Sequence, residues 1–204
     1  MRSPEGDAAP AGRCAASSEG RAPGERRALL DVARASIEHG IHHGRSLRVD
    51  PAAYPEALRE VRATFVSLHR EGRLRGCVGS LDAQQPLVAD VAESAWGAAF
   101  RDPRFERLRA GELPGLEVSI SVLGALEALR VASEDELVAK LRPGVDGLLL
   151  REGRLRGTLL PAVWQHVPDA RDFVREVKRK AGLPEHHWSA SLQILRYEVE
   201  SISD

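Results

Sequence analysis

The chain has 204 residues, 43% of them hydrophobic, enough to bury one sizeable core, so one domain with room for two lobes is expected. Its 29 Lys plus Arg against 30 Asp plus Glu leave a formal net charge of -1, without the basic excess that drives general nucleic-acid binding. Only Cys14 and Cys77 carry thiols, which excludes a disulfide framework or a cysteine-rich zinc site and points to a reducing compartment.

From Met1 to about Gly24 the residues are mostly Ala, Gly, Pro and Ser, which cannot offset their ordering entropy by burial. A disordered tail over 1–24 is expected, with Cys14 as an exposed thiol, and a single domain over 25–204. The start MRSPEGDAAP lacks the apolar centre of a signal peptide, and no stretch nears the roughly 18 apolar residues of a membrane helix. A cytoplasmic chain with no membrane partner is the expectation.

Leu29, Val32, Ala33 and Ile37 stand at helical spacing, and the helix is predicted to stop at Gly40. After Pro51 and Pro55, ATFVSLHREGRLRGCVGSL reads as a β-hairpin turning at Glu71-Gly72. Pro86 to Phe100 is the clearest amphipathic helix, opened by a proline suited to a first turn. LEVSISVL then alternates with the period of a strand that buries one face. Ser133 and Glu136 form a capping-box pattern before a helix through Leu141. A second hairpin, GLLLREGRLRGTLL, a basic amphipathic helix from about Ala170 to Ala181, and a closing strand in LQILRYEVESI complete the chain. Without regular βαβ alternation the expected class is α+β, a mainly antiparallel sheet flanked by helices.

REGRLRG occurs twice, at Arg70–Gly76 and Arg151–Gly157. The repeat reads either as one turn chemistry used twice, or as two hairpins that present arginines to one cleft. Strict alternation places Arg73, Arg75, Cys77 and Gly79 on one face of the first hairpin. A guanidinium beside a thiol favours the nucleophilic thiolate, while Gly76 and Gly79 leave space for a substrate or another backbone. Against this, a lone strand cysteine is ordinarily a small packed apolar residue. His69, on the partner strand, pairs nearer Leu74 than Cys77, and Thr158 takes in the second hairpin the place Cys77 holds in the first.

Other chemistry is thinner. His39 and His43 have the i, i+4 spacing of metal ligands but lack fixed Asp, Glu or Cys companions, so a polar helix end beside His42 is expected and no metal is assigned. His186 and His187 are equally ambiguous. Arg171, Arg175, Lys178, Arg179 and Lys180 form a basic stripe, diluted by Asp172 and Glu176, and read as a solvated face. With no phosphate loop, dinucleotide fingerprint, HExxH or GxSxG, the cofactor stays unknown.

The segment LRGCVGSL at Leu74–Leu81 resembles the hallmark of the AMMECR domain family. AFRDPRF at Ala99–Phe105, LPGLEVSISVL at Leu113–Leu123, GVDGLLL at Gly144–Leu150, GTLLPAVW at Gly157–Trp164 and the ending from KRKAGLP through RYEVE are similar to that family in the same order. The resemblance spans roughly Ala28 to Ser201, and its wording is similar to the bacterial branch of AmmeMemoRadiSam system protein A. It implies an α+β domain in two unequal lobes with a cleft between them. It also implies two partners, a Memo-like protein and a radical S-adenosylmethionine enzyme.

Arg75, Gly76, Cys77 and Gly79 match the hallmark, Asp102, Arg104 and Phe105 the second motif, and Glu117 lies in the third. The leading expectation is an enzyme component: Cys77 the nucleophile, Arg75 the cation that favours its thiolate and steadies an anionic substrate, Glu117 or Asp102 the proton carrier. Gly76, Gly79, Asp102, Arg104 and Thr158 are expected to bind substrate, although Asp102 and Arg104 also read as an ion pair that ties a loop. The alternatives are a scaffold for the two partner enzymes and an RNA-binding accessory domain using Arg73, Arg75, Arg154, Arg156 and the basic helix.

Overall fold

The computed structural model describes residues 20–204; Cys14 and the expected tail up to residue 19 lie outside the described residues. In chain order the elements are α1 (Pro23–His43), α2 (Glu56–Arg59), β1 (Thr64–Arg70), β2 (Arg73–Gly79), α3 (Leu87–Phe100), β3 (Leu116–Leu123), β4 (Glu127–Ala128), α4 (Glu134–Lys140), β5 (Gly147–Glu152), β6 (Leu155–Leu159), α5 (Ala170–Ala181), β7 (Gln193–Tyr197) and β8 (Val199–Ser203).

The fold is α+β with antiparallel sheet flanked by helices, as expected, and the strands divide into two four-stranded sheets, one ordered β2-β1-β3-β8 and the other β4-β7-β5-β6. The closing segment is two strands rather than one. Tyr197 pairs with Gly147 in the second sheet, and two residues later Val199 pairs with Leu123 in the first. The alternation of Leu195 to Glu200 runs straight across Glu198, so a period-2 pattern carries no mark at the point of this exchange between sheets.

The first lobe buries Val66, Leu68, Val118, Ile120 and Val122 of its sheet against α1 and α3. The second, smaller core sets Leu148, Leu150 and Ile194 against Phe173, Val174 and Val177 of α5, with Trp164 stacked on Phe173 at 3.8 Å. A third cluster of Ala63, Leu123, Leu149 and Tyr197, joined by Phe65 and Leu160, closes the junction. The lobes are unequal as expected.

Helix α1 starts earlier and ends later than expected. Pro23 opens it, the Glu25 carboxylate accepts the Ala22 N–H at 3.0 Å, and Arg21 pairs with Glu200, so residues 21–24 belong to the fold rather than to a tail. Gly44, with φ +69°, ends it. Gly40 is a packing position instead: a Cβ there would stand 2.4 Å from Phe100 and 2.5 Å from Trp96 of α3.

The repeated heptapeptide folds in two ways. In the first copy Arg70 pairs with Arg73 around Glu71-Gly72, both with positive φ, as a type I′ turn requires. In the second Glu152 pairs with Leu155 and the turn moves on to Gly153-Arg154. The difference has a visible cause. The Glu152 carboxylate accepts bonds from Ser189 at 2.7 Å and Ser191 at 2.5 Å and lies 3.3 Å from His187, which anchors it in the strand, whereas Glu71 is exposed. One turn chemistry used twice is therefore corrected to a shared glycine in two different turns.

Candidate functional site

β2 is an edge strand, and its two faces differ. A Cβ on Gly76 would stand 2.0 Å from the Ala98 carbonyl oxygen, and one on Gly97 would stand 2.8 Å from Val78, so Gly76 and Val78 face α3. Cys77 lies on the opposite face, half-buried, in a row with Ser67, Ser119 and Ser203 of the neighbouring strands. Phe65, two residues before Ser67 and on the same face by alternation, packs into the junction between the lobes. The thiol therefore stands on the side of the sheet turned to the second lobe.

Three groups fix it. The Ser67 hydroxyl donates to Sγ at 3.2 Å. The Cys77 N–H, which points off the sheet edge, donates to Asp102 Oδ2 at 2.8 Å. Arg104 grips the same carboxylate through Nε at 2.9 Å and Nη2 at 2.7 Å, and reaches the Cys77 carbonyl at 3.5 Å. Asp102 is 3% exposed, and the Arg104 guanidinium, aided by the Cys77 and Arg104 N–H groups, outweighs burial and holds its carboxyl far below the usual range. Arg104 is in turn held cationic, first by Asp102 and then with help from the Cys77 side chain. Asp102 is thus a permanent anion clamping the loop after α3 to the sheet edge, and it is unsuited to carry protons near neutral pH.

Several expected roles are corrected. Arg75 is the extra residue of a β-bulge: Leu68 pairs with Gly76 and His69 with Leu74, leaving Arg75 without an opposite. The bulge breaks the strict alternation, and the guanidinium goes to Glu112 at 2.8 and 3.1 Å and to the Glu106 carbonyl. Already matched to a carboxylate, Arg75 is not the cation of the thiol. Glu117 is exposed, two strands over and two residues along from Cys77, roughly 12 Å at ordinary strand spacing and rise, and takes no proton there. Gly76 and Gly79 make room for the protein's own backbone, Ala98 at one and Thr64 and Phe65 at the other, rather than for a substrate. Thr158 is engaged within the second lobe, donating to the Leu148 carbonyl at 2.8 Å and lying 2.6 Å from the Tyr197 hydroxyl. Burial pushes the Tyr197 phenol up to about 12.

The basic helix is also not a free stripe. Arg171 pairs with Asp135, Arg175 with Asp172 and Glu185, and Arg179 with Glu176. Lys178 is fully buried against Glu134 and the Glu185 carbonyl. Lys180 has no carboxylate partner among the described residues. A Cβ on Gly157 would stand 2.4 Å from the Ala181 nitrogen, so α5 lies directly on β6. Arg151 and Arg156 of that hairpin reach Asp82, just beyond β2. This docking brings the exposed Lys180 within electrostatic reach of Cys77 and Arg104; nearby protein that screens its ammonium from water, with Arg104 adding to the effect and Cys77 opposing, lowers it from the ordinary lysine range. Residue-type reasoning missed Lys180 as a separate group, although it lies in the KRKAGLP segment that carries part of the resemblance.

The His39 and His43 rings lie 4.2 Å apart, tilted by 37°, and no group of three or more metal-ligating side chains occurs among the described residues. Cavities of about 380 and 560 Å³ flank the junction, the larger lined by Ser121, Val145, Trp164, Val199 and Ser201; Cys77 lines neither. No helix among the described residues is long and apolar enough to cross a membrane.

Three comparisons bear on this arrangement. The family model described as AMMECR1 matches residues 30–202. A protein of Methanothermobacter thermautotrophicus is 36% identical over 180 residues, 86% of this chain and 92% of its own, and Protein MJ0810 of Methanocaldococcus jannaschii is 34% identical over 172 residues, 82% and 84%. The crystal structure of uncharacterized protein PH0010 from Pyrococcus horikoshii matches with a TM-score of 0.77 at 31% identity, covering 85% of this chain and 88% of that one.

Proposed function

This chain belongs to the AMMECR1 family, and on that premise we propose that it is the thiol-bearing component of a modification system, with Cys77 as nucleophile on the face between the lobes. The observation that supports this reading is the setting of Sγ. Cys77 is half-buried, its Sγ oriented by Ser67 and its own N–H fixed by Asp102, with the Arg104 guanidinium beside it and the exposed Lys180 of the second lobe within electrostatic reach. Cations beside a thiol favour nucleophilic attack, and clamped backbone holds the attacking atom in one place.

In the proposed step Sγ gives its proton to solvent and attacks an electrophilic carbon. The S–C bond forms as the bond from that carbon to its leaving group breaks, and the leaving group departs with the electron pair. The acceptor of the transferred group comes from the partner enzymes, which we assign, on the family resemblance, as a Memo-like protein and a radical S-adenosylmethionine enzyme.

The test uses the full chain with Cys14→Ser, so that Cys77 is the only thiol. Alkylation by iodoacetamide at neutral pH is expected to run faster than that of a free thiol. A rate no faster removes the basis for a nucleophile. Association with both partners that persists in Cys77→Ser, together with slow alkylation, would replace this reading by that of a scaffold.

A further inference from the structure

Resting on the thiol reading above, we propose that the substrate presented to Cys77 is a polypeptide, and that the cavity of about 560 Å³ between the lobes holds one of its apolar residues, with a basic residue beside it at Glu198. The first observation is where this cavity lies. Ser121 of β3 and Ser201 of β8 form its floor, and Val145, Leu160 and Pro161 of the second lobe its walls. Ser121 pairs with Ser201, one pleat along from the row of Ser67, Ser119 and Ser203, so the floor belongs to the same sheet face as Cys77. From Ser121 to Cys77 is two strands across and two residues along, roughly 12 Å at ordinary strand spacing and rise. The short side chains of Ser67 and Ser119 lie between them, half-buried and not sealed off. About three to four residues of extended chain span that distance.

The second observation is the chemistry of the lining. Val145 is a large apolar side chain left 43% exposed, and an apolar residue seated against it would cover it. Ser201 is engaged only through its carbonyl, by Arg26 at 2.9 Å, and neither its hydroxyl nor that of Ser121 has a partner among the described residues. Each hydroxyl both donates and accepts, as an incoming peptide group requires. A bare hydrocarbon chain would cover Val145 but strip water from these hydroxyls without replacing it, whereas a polypeptide satisfies both.

The third is charge. Glu198 is the charged side chain in the lining; its Oε1 accepts from Arg142 at 2.9 Å, and its Oε2 has no partner among the described residues. The surrounding cations are committed: Arg142 also serves Asp146, Arg21 pairs with Glu200, and Arg26 holds the Ser201 carbonyl. No cation lines the cavity to receive a phosphate, which argues against a nucleic acid or nucleotide seated there. A Lys or Arg of a polypeptide meets Glu198 instead. Being largely exposed, that pair adds a preference rather than most of the affinity.

Binding is tested in the full chain carrying Cys77→Ala, so that it is read apart from the thiol. The probe is acetyl-Ala-Ala-Leu-Arg-Ala-Ala-amide, expected to shift the NMR amide resonances of Ser121, Val145 and Ser201. Replacing the peptide's Leu by Asp should weaken binding about tenfold, and its Arg by Glu about fivefold. Val145→Glu, at an exposed position, should abolish the shifts and leave thermal unfolding unchanged. No shift at millimolar peptide overturns the site and leaves the nucleophile standing. Polyuridylate that moves these resonances where the peptide does not overturns the polypeptide class.

The link to the thiol is tested in the Cys14→Ser chain. A bromoacetyl group is placed next to the Leu-Arg anchor or three alanines away, before it in one pair of peptides and after it in another. Sγ bonds to the CH2 carbon and bromide leaves with the electron pair. Each rate is divided by that of bromoacetamide, which removes the readiness of the thiol. In one of the two directions the three-alanine peptide is expected to react about tenfold faster than the adjacent one, through its raised local concentration, and Val145→Glu should erase the difference. Equal ratios in both directions overturn the proposal. Slow reaction with bromoacetamide itself overturns the nucleophile, and the Cys77→Ala titration then decides the cavity alone.

Discussion

Gly76 stands in the hallmark segment next to the thiol, and its substitution separates packing from chemistry. An added Cβ would stand 2.0 Å from the Ala98 carbonyl oxygen, whereas real Cβ contacts essentially never fall under 3.0 Å, so α3 must move by at least about 1 Å. It has nowhere to go. On its far side Trp96 and Phe100 already fill the space that the missing Cβ of Gly40 leaves. Gly76→Ala is therefore expected to cost about 3 kcal/mol or more, at the upper end of overpacking. Two other glycines calibrate the scale. Gly72 has open space but φ +71°, and its Ala variant should cost about 1 kcal/mol from backbone strain alone. Gly111 has open space and no positive φ, and its Ala variant should be neutral or stabilising by about 0.5 kcal/mol through the unfolded chain. Urea unfolding followed by tryptophan fluorescence, with equal m-values, measures all three. A Gly76→Ala cost below that of Gly72→Ala would refute the claim that helix backbone occupies this position.

Three further outcomes follow from the same geometry. Glu71→Asn should stabilise by about 1 kcal/mol, because Asn-Gly suits two positive-φ turn positions, while Glu152→Asn should destabilise by about 1–2 kcal/mol by orphaning Ser189 and Ser191; equal signs in thermal melts would contradict the two-turn account. Asp102 is held below its unfolded value of about 3.9, so its stabilisation is complete above that pH and drains away as pH falls towards the folded value; acid titration of unfolding should show a shallower loss below pH 4 in Asp102→Asn, and parallel curves would show that the clamp is not charged. Glu134→Ala leaves the buried Lys178 ammonium with only the Glu185 carbonyl and should cost about 3 kcal/mol, whereas Lys178→Met removes the charge and should cost less; the reverse order in denaturant melts would refute it.

What was legible in the sequence is what local periodicity encodes. The first hairpin, α3, β3 and α5 stand where apolar spacing places them, because each buries one face against a lobe. Gly40 looked like a helix stop and is a contact for Trp96 and Phe100, since a glycine required by a neighbour and one required by its own φ are the same letter. Lys178 looked solvated because nothing nearby in sequence announces Glu134 of α4. The second sheet hid in the same way: β7 and β8 meet inside one alternating stretch, Leu195 to Glu200, divided only by which partner strand each half finds.

The site shows the limit more sharply. Cys77 was readable as the central group, and Asp102 and Arg104 as an ion pair, because that pair is local and the cysteine is flanked by family motifs. Its electrostatics were not. Period-2 reasoning assigned Arg75 to the thiol, and one extra residue in the β-bulge was enough to hand that guanidinium to Glu112 instead. The cation that replaces it, Lys180, lies 103 positions further along the chain, on a helix whose other basic groups are paired. It comes within electrostatic reach of the thiol because α5 settles on Gly157 and Asp82 draws in the second hairpin. The repeated heptapeptide therefore serves the site through its glycines and the outer arginines of its second copy, which set helices and lobes in place, rather than through arginines aimed at a ligand.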